Sequence, residues 1–298
     1  MELAIEIENL CKVYPGRTAL DNVSFSVKKG SIHGFLGPNG AGKSTTMKIL
    51  SGLIPKTSGK FKVNGKVGFL PEHPPVYPNM SVKDYLNFVF SIYAHTGSTN
   101  HIEEVIKKTG LDDVQNRLIG NLSKGYQQRV GIAQAIVHSP EIIILDEPTV
   151  GLDPVAIADI RALILELKND HTILFSSHQL HDVELLCSDI TLINRSKIVV
   201  SGAIDTILSN LKTNMSLKAR VVTFNDELKK KLQSSFAVES VSYEKDSEHK
   251  NTILKISIQG KNDIRPELAR FLSDTSIGLL EFNEERGDLE DLFKRIHE

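Results

Sequence analysis

The chain has 298 residues, 40% of them hydrophobic and 24% charged, with a formal net charge of −2. That suits one large or two medium globular domains, and leaves out the ~18–20-residue apolar run of a membrane span and the basic block that would suggest a nucleic-acid partner. Two cysteines, Cys11 and Cys187, are too few for a disulfide framework, and Met1-Glu2-Leu3-Ala4-Ile5-Glu6 lacks the basic start and apolar core of a signal peptide, so a reducing cytoplasm is the expected setting.

Residues 3–14 and 18–29 read as two β segments around the turn Tyr14-Pro15-Gly16-Arg17. Ile5 and Ile7, then Val23, Phe25 and Val27, alternate with polar residues as half-buried strands do. Tyr14 stands where the first strand gives way to the turn. It is either a turn-flanking aromatic or a flat platform for a nucleobase, on which stacking is worth ~1–3 kcal/mol. A short buried strand follows at 31–36 and leads into Gly37-Pro38-Asn39-Gly40-Ala41-Gly42-Lys43-Ser44. This octapeptide fits G-x-x-x-x-G-K-[ST] at every fixed position.

The residue types follow from the chemistry. A triphosphate is held by converging backbone N–H groups, which requires glycines where a Cβ would block the turn or the approach. The helix opening at Thr45 adds its N-terminal partial charge. Lys43 is then expected at the β- and γ-phosphates and the Ser44 hydroxyl on Mg²⁺.

A turn-rich span at 54–59 precedes a strand through Val67-Gly68-Phe69-Leu70, and Pro71-Glu72-His73-Pro74-Pro75 reads as an extended, exposed loop. Ser81-Val82-Lys83-Asp84 resembles a capping box opening a helix. Residues 101–109 and 112–119 read as further short helices, making about 80–138 a helical insert. Asn121-Leu122-Ser123-Lys124-Gly125-Tyr126-Gln127-Gln128-Arg129 enters a helix running to about Val137.

Ile142-Ile143-Ile144-Leu145 closes on Asp146-Glu147. A wholly apolar run of that length is a central strand buried on both faces, and the C-terminal ends of such strands are where open α/β sheets bind ligands. Asp146 is therefore expected to hold Mg²⁺ through its water, and Glu147 to take a proton from an attacking water. Pro148 to Pro154 is a rigid turn into a helix over about 155–169. The strand at 171–175 ends at Ser176-Ser177-His178, and the spacing places His178 toward the same γ-phosphate. A helix at 179–187 and two strands around 194–197 complete the core.

In this order the pieces resemble the ATP-binding subunit of ABC transporters, over about residues 3–210, and look most like the branch paired with ABC-2-type permeases, including gliding-motility and drug- or sodium-efflux ATPases. Phe69-Leu70-Pro71-Glu72 lies where the family has its Q-loop, and Leu122 to Gln127 where it has its signature motif. Asp146 and Glu147 match Walker B and the catalytic base, Gly151 to Asp153 the D-loop, and His178 the switch histidine.

The resemblance implies an α/β P-loop NTPase core with an antiparallel β subdomain and a helical insert. It implies ATP and Mg²⁺ as ligands, with Glu147, His178 and Lys43 catalytic. Tyr14, Gly37, Pro38, Asn39, Gly40, Ala41, Gly42, Lys43, Ser44 and Thr45 would bind the nucleotide, Ser123 and Gly125 would act in trans, and Ser44, Glu72 and Asp146 would serve the metal. Glu72 replaces the usual Gln, keeping an acceptor oxygen and adding charge; Lys124 and Tyr126 depart from the signature, while Ser123 and Gly125 remain.

It further implies a head-to-tail dimer with a second ATP-binding subunit, a homodimer by default. A separately encoded integral membrane permease, an exporter, would hold the chain at the cytoplasmic face of the membrane, with no nucleic-acid partner. The rival reading is a soluble ABC-type ATPase of translation or DNA repair. Those relatives usually carry two cassettes, a long coiled-coil insert or basic extensions, and this chain shows none of these.

Residues 211–298 lie outside that match. Their pattern reads as strand 216–224, helix 226–236, strand 238–245, strand 251–259, helix 263–274 and strand 277–283. That is the βαββαβ order of a smaller α+β ferredoxin-like domain. A final helix shows Leu289, Leu292, Phe293 and Ile296 as one apolar stripe.

Overall fold

The structure, a computed structural model, describes residues 2–93, 100–211, 214–236, 238–246, 251–259, 263–274 and 276–285. The expected helix with its Leu289–Ile296 stripe lies outside the described residues. The chain divides into two compact units, Met1–Ile204 and Asp205–Glu298.

The first unit opens with β1 (Leu3–Tyr14) and β2 (Arg17–Lys28), an antiparallel hairpin closed by Pro15-Gly16. Then come β3 (Ile32–Leu36), α1 (Lys43–Leu50), β4 (Ser58–Val63) and β5 (Val67–Leu70). The insert contributes α2 (Val82–Tyr93), α3 (Asn100–Lys108) and α4 (Lys124–Ile136). The remainder is β6 (Ile142–Asp146), α5 (Pro154–Leu167), β7 (Thr172–Ser177), α6 (Leu180–Leu186), β8 (Asp189–Asn194) and β9 (Lys197–Ala203); α7 (Ile204–Leu211) follows and, past its first residue, belongs to the second unit.

Two differences from the sequence expectation have plain physical causes. Residues 112–119 are not a helix; two 3₁₀ turns, Asp112–Val114 and Ile119–Asn121, flank an irregular stretch. Its carbonyls are used across the insert instead: Gln115 accepts from the Lys83 N–H at 2.9 Å and Arg117 from Val82 at 3.2 Å. The span before Val67 contains β4, whose Lys60, Phe61, Lys62 and Val63 take alternate faces beside β1. Its Ser58-Gly59 start reads as a turn until β1 offers a free edge.

Two sheets result. One is antiparallel with order β2-β1-β4; the other has order β5-β6-β7-β3-β8-β9 and is parallel except for β9. Every residue of β3, β6 and β7 is buried, as strands covered on both faces must be. Ile5, Leu10 and Leu20 of the antiparallel sheet share one core with Met47 and Ile49 of α1 and with Phe35, Ile144 and Leu174 of the parallel sheet. At about 25 cal/mol per Å² this burial is the main force holding the two sheets together.

His33 on β3 is a titratable group inside that core. Its Nε2 meets the Thr191 hydroxyl at 2.8 Å and its ring stacks on Phe25 with centroids 5.8 Å apart. Burial lowers its pKa to about 4, with smaller opposing effects of Asp189 (raising) and Lys28 (lowering). The folded pKa lies below the unfolded value, so protonation favours the unfolded chain. The contribution is complete above pH 6.5 and is lost as pH falls toward 4. Urea unfolding at pH 7 and pH 4.5 should show His33 alone accounting for about 2–3 kcal/mol of lost stability. A His33→Leu variant should lose that much less across the same window; equal losses would refute the assignment.

The second unit comprises β10 (Asn214–Val221), α8 (Asp226–Ser235), β11 (Val238–Lys245), β12 (Thr252–Gln259), α9 (Arg265–Leu272) and β13 (Leu279–Glu285). Its antiparallel sheet has order β11-β12-β10-β13. The elements follow one another in the order the sequence pattern predicts. Leu217, Ala219, Leu254 and Ile256 bury one face of the sheet against Leu232 of α8 and Leu268 and Leu272 of α9.

Candidate nucleotide site

In the parallel sheet β7 lies between β3 and β6, and Leu36 pairs with Ser177 while Asp146 pairs with Ser176. The three strands therefore end on one line. The segments that leave them, beginning at Gly37, Glu147 and His178, emerge side by side at the sheet's C-terminal edge.

The loop after β3 is held tightly. A Cβ on Gly37 would lie 2.3 Å from the Ile193 carbonyl oxygen. Gly42, the residue before α1, has φ +119 and would bring a Cβ to 2.7 Å from the Ala19 oxygen. Both positions exclude any side chain without displacing backbone. Lys43 is buried, and its ammonium donates to Gly37 O at 2.7 Å and Pro38 O at 3.3 Å.

The same ammonium lies 3.1 Å from Glu147 Oε1. Glu147 Oε2 faces His178 Nδ1 at 2.8 Å and accepts from the His178 backbone N–H at 3.3 Å. A carboxylate offers acceptors only, so Nδ1 is the protonated nitrogen of this contact. Glu147 has φ +50, a left-handed conformation costly for a side chain with a Cβ. Its N–H donates to Ser176 Oγ at 2.9 Å, and that hydroxyl donates to Asp146 Oδ1 at 2.7 Å. Ser176 thus holds the Asp146 carboxylate and the Glu147 backbone together.

A cavity of about 290 Å³ opens over this edge, lined by Arg17, Asn39, Gly40, Gly42, Lys43, Ser44, Thr45, Glu72, Glu147, Val150 and His178. Gly37, Pro38 and Ala41 shape the loop beneath it. Asp146 lies behind its wall, 2% exposed. The Glu72 loop is fastened to the insert by Tyr85, whose hydroxyl lies 3.2 Å from Pro75 O and 2.8 Å from Gln134 Oε1 and shares its one proton between them; burial pushes that phenol up to about 12. Ser44, Glu72 and Asp146 supply a hydroxyl and two carboxylates, the hard oxygen donors that suit Mg²⁺ alongside phosphate oxygens.

Other expected residues lie elsewhere. Tyr14 is exposed at the end of β1 and does not line the cavity; the Lys12 ammonium sits 4.9 Å over its ring. Ser123 caps α4, its Oγ accepting from the Tyr126 N–H at 3.4 Å, and neither it nor Gly125 reaches the cavity of its own chain. Arg17 and Val150 are additions that no motif signalled. Arg17 Nη2 donates to Gly40 O at 3.0 Å, a contact made only because the β1–β2 turn is brought beside the phosphate loop.

A glycine-rich loop joining a parallel strand to a helix, with an acidic pair at the end of a second parallel strand of the same sheet, defines a P-loop nucleoside triphosphatase. A family model described as ABC transporter matches residues 20–150. The chain is similar to the lantibiotic transport ATP-binding protein SrtF of Streptococcus pyogenes, 41% identical over 211 residues, 67% of this chain and 91% of that protein. It is also similar to the linearmycin resistance ATP-binding protein LnrL of Bacillus subtilis (strain 168), 30% identical over 309 residues that cover 98% of this chain and 97% of that one. A solved structure described as the ATP binding subunit of an ABC transporter shares the fold with a TM-score of 0.63 at 27% identity, covering 70% of this chain and 93% of that one. The chain belongs to the ABC transporter family, as an ATP-binding subunit and ATPase. The α/β core with its antiparallel β subdomain, expected from sequence, is the family's fold.

Proposed function

We propose that this chain hydrolyses ATP as one half of a head-to-tail dimer and so powers a separate ABC-2-type membrane permease, an exporter. The observation that carries the reading is the one-sided cavity: Lys43, Glu147 and His178 face it, while Ser123 and Gly125 of the same chain do not. At about 290 Å³ the half-site falls at the lower edge of ligand clefts, which run from about 300 to 1,000 Å³. A second copy's Ser123 and Gly125 would close it.

In this reading residues 1–210 are the ATP-binding domain, with 80–138 its helical subdomain, and 211–298 an accessory domain. Lys43 and the N–H groups of residues 37–45 other than Pro38, which shapes the loop, hold the phosphates, and Tyr14 stacks on the base. Ser44, Glu72 and Asp146 would hold Mg²⁺, which would supply positive charge to the phosphates. Glu147 takes the proton of the attacking water, and His178 donates to the γ-phosphate.

The permease reading draws support from the surface of the insert. Tyr77, Phe88, Ile92 and Leu118 are large, apolar and exposed, and the Tyr77 and Phe88 rings lie 5.7 Å apart. Among the described residues no helix is long and apolar enough to cross a membrane, so membrane attachment, at the cytoplasmic face, rests on that partner. Export follows the named roles of the relatives, lantibiotic transport and linearmycin resistance. Purification of the tagged chain from detergent-solubilised membranes should recover an integral membrane protein in stoichiometric amount. Recovery only with ribosomes or DNA would overturn the transport reading in favour of a soluble ATPase.

A further inference from the structure

Beneath the site lies an ionic cluster outside every motif discussed above. Asp182, on α6, is fully buried. Its Oδ2 accepts from the Thr149 hydroxyl at 2.7 Å, and its Oδ1 accepts from Arg161 Nη2 of α5. Thr149 is itself only 2% exposed. A charge taken out of water is retained only with an opposite charge and hydrogen bonds around it, and here the two partners come from the turn after β6 and from α5.

Thr149 stands two residues after Glu147, and Asp182 four residues after His178. The cluster therefore ties the segment carrying the carboxylate to the segment carrying the imidazole. Glu147 sits at φ +50, and such a conformation persists only where its surroundings over-determine it. Upstream, Ser176 Oγ holds the Glu147 N–H at 2.9 Å. Downstream, ahead of the Asp153 side chain that caps α5, the turn is anchored by the Thr149–Asp182 bond at 2.7 Å. The 2.8 Å contact between Glu147 and His178 spans the gap between the two segments that the cluster joins.

We propose that Thr149, Asp182 and Arg161 form a positioning cluster that sets the spacing of Glu147 and His178 for hydrolysis. None of the three lines the cavity, and the cluster acts through those two residues. The proposal rests on their assignment as base and γ-phosphate ligand.

Removing the Asp182 charge would strand Arg161 and destabilise the fold, so Thr149 is the site to test. Thr149→Val conserves shape and leaves the Asp182–Arg161 pair in place. In steady-state ATP hydrolysis by the full-length chain, Thr149→Val should lower kcat by about 10- to 100-fold, as small misplacements of reacting groups do. KM for MgATP should stay as in the unmodified protein, the thermal midpoint should fall by only about 2–6 °C with the loss of one hydrogen bond to a buried carboxylate, and Thr149→Ser should restore kcat, because the hydroxyl alone is what Asp182 uses. An unchanged kcat in Thr149→Val, a rise in KM that accounts for the whole loss, or failure of Thr149→Ser to rescue would each overturn the proposal. Glu147→Gln, assayed alongside, separates the two levels. If it still hydrolyses ATP normally, the catalytic assignment and this proposal both fall; if it is inactive while Thr149→Val is fully active, only the cluster's role falls.

Discussion

Replacement of Glu147 by Gln is expected to lower kcat for ATP hydrolysis by about 10²–10⁴, the usual contribution of a positioned general base, while MgATP still binds. The geometry separates the two effects. Gln keeps the length of the side chain and one acceptor oxygen, so the contacts with the His178 N–H groups and the Lys43 ammonium, at 2.8–3.3 Å in the native protein, can be kept in part. It cannot take a proton from water. Because hydrolysis would then no longer discharge the bound nucleotide, the proposed dimer should accumulate. Light scattering of Glu147→Gln should show the mass doubling on addition of MgATP. A monomer at saturating MgATP would sink the dimer, and hydrolysis at the native rate would remove Glu147 from the reaction.

The second large effect is expected at Lys43. Its ammonium holds the Gly37 and Pro38 carbonyl oxygens and offsets the buried Glu147 carboxylate. Charge-assisted hydrogen bonds contribute about 1.5–3 kcal/mol each, so a lysine spanning two phosphates should be worth at least about 100-fold in nucleotide affinity. Lys43→Ala should therefore lose ATP binding by that factor or more in a calorimetric titration. It should also lose about 1–3 kcal/mol in urea unfolding, because Glu147 stays buried without its cation. Native affinity in Lys43→Ala would place the phosphates elsewhere. A loss of stability confined to nucleotide-containing buffer would show that the lysine's role is in binding alone.

What could be read from the sequence divides by range. The phosphate loop is a local solution to a local problem: glycines where backbone must approach, a lysine, a hydroxyl, then a helix. Its residues could be named without knowing their neighbours. The same holds for Asp146-Glu147, where four branched apolar residues announce a buried strand and the acids mark its end, and in weaker form for His178. Ser176 carries no such signal. Its role arises because Asp146 pairs with Ser176 across β6 and β7, a register no local pattern encodes. Arg17 at the cavity mouth and Asp182 beneath it are likewise products of tertiary placement. β4 was hidden because its two alternating apolar residues, Phe61 and Val63, follow a Ser-Gly start that local chemistry assigns to a turn.

The placement of β7 between β3 and β6 has a consequence for how the chain is made. Ile32 pairs with Ile173, so the strand that launches the phosphate loop cannot find its neighbour until the insert and the acidic strand have been synthesised. Pairing across so long a stretch is slow, because loop closure must precede any gain from contact. During synthesis the phosphate loop leaves the ribosome well before Glu147, and His178 follows last. A nascent chain thus carries a nucleotide-gripping segment that has neither base nor imidazole. Competence for hydrolysis should arrive in one late step, when β7 slots into the open sheet and brings Ser176 against the Asp146 carboxylate and the Glu147 backbone N–H.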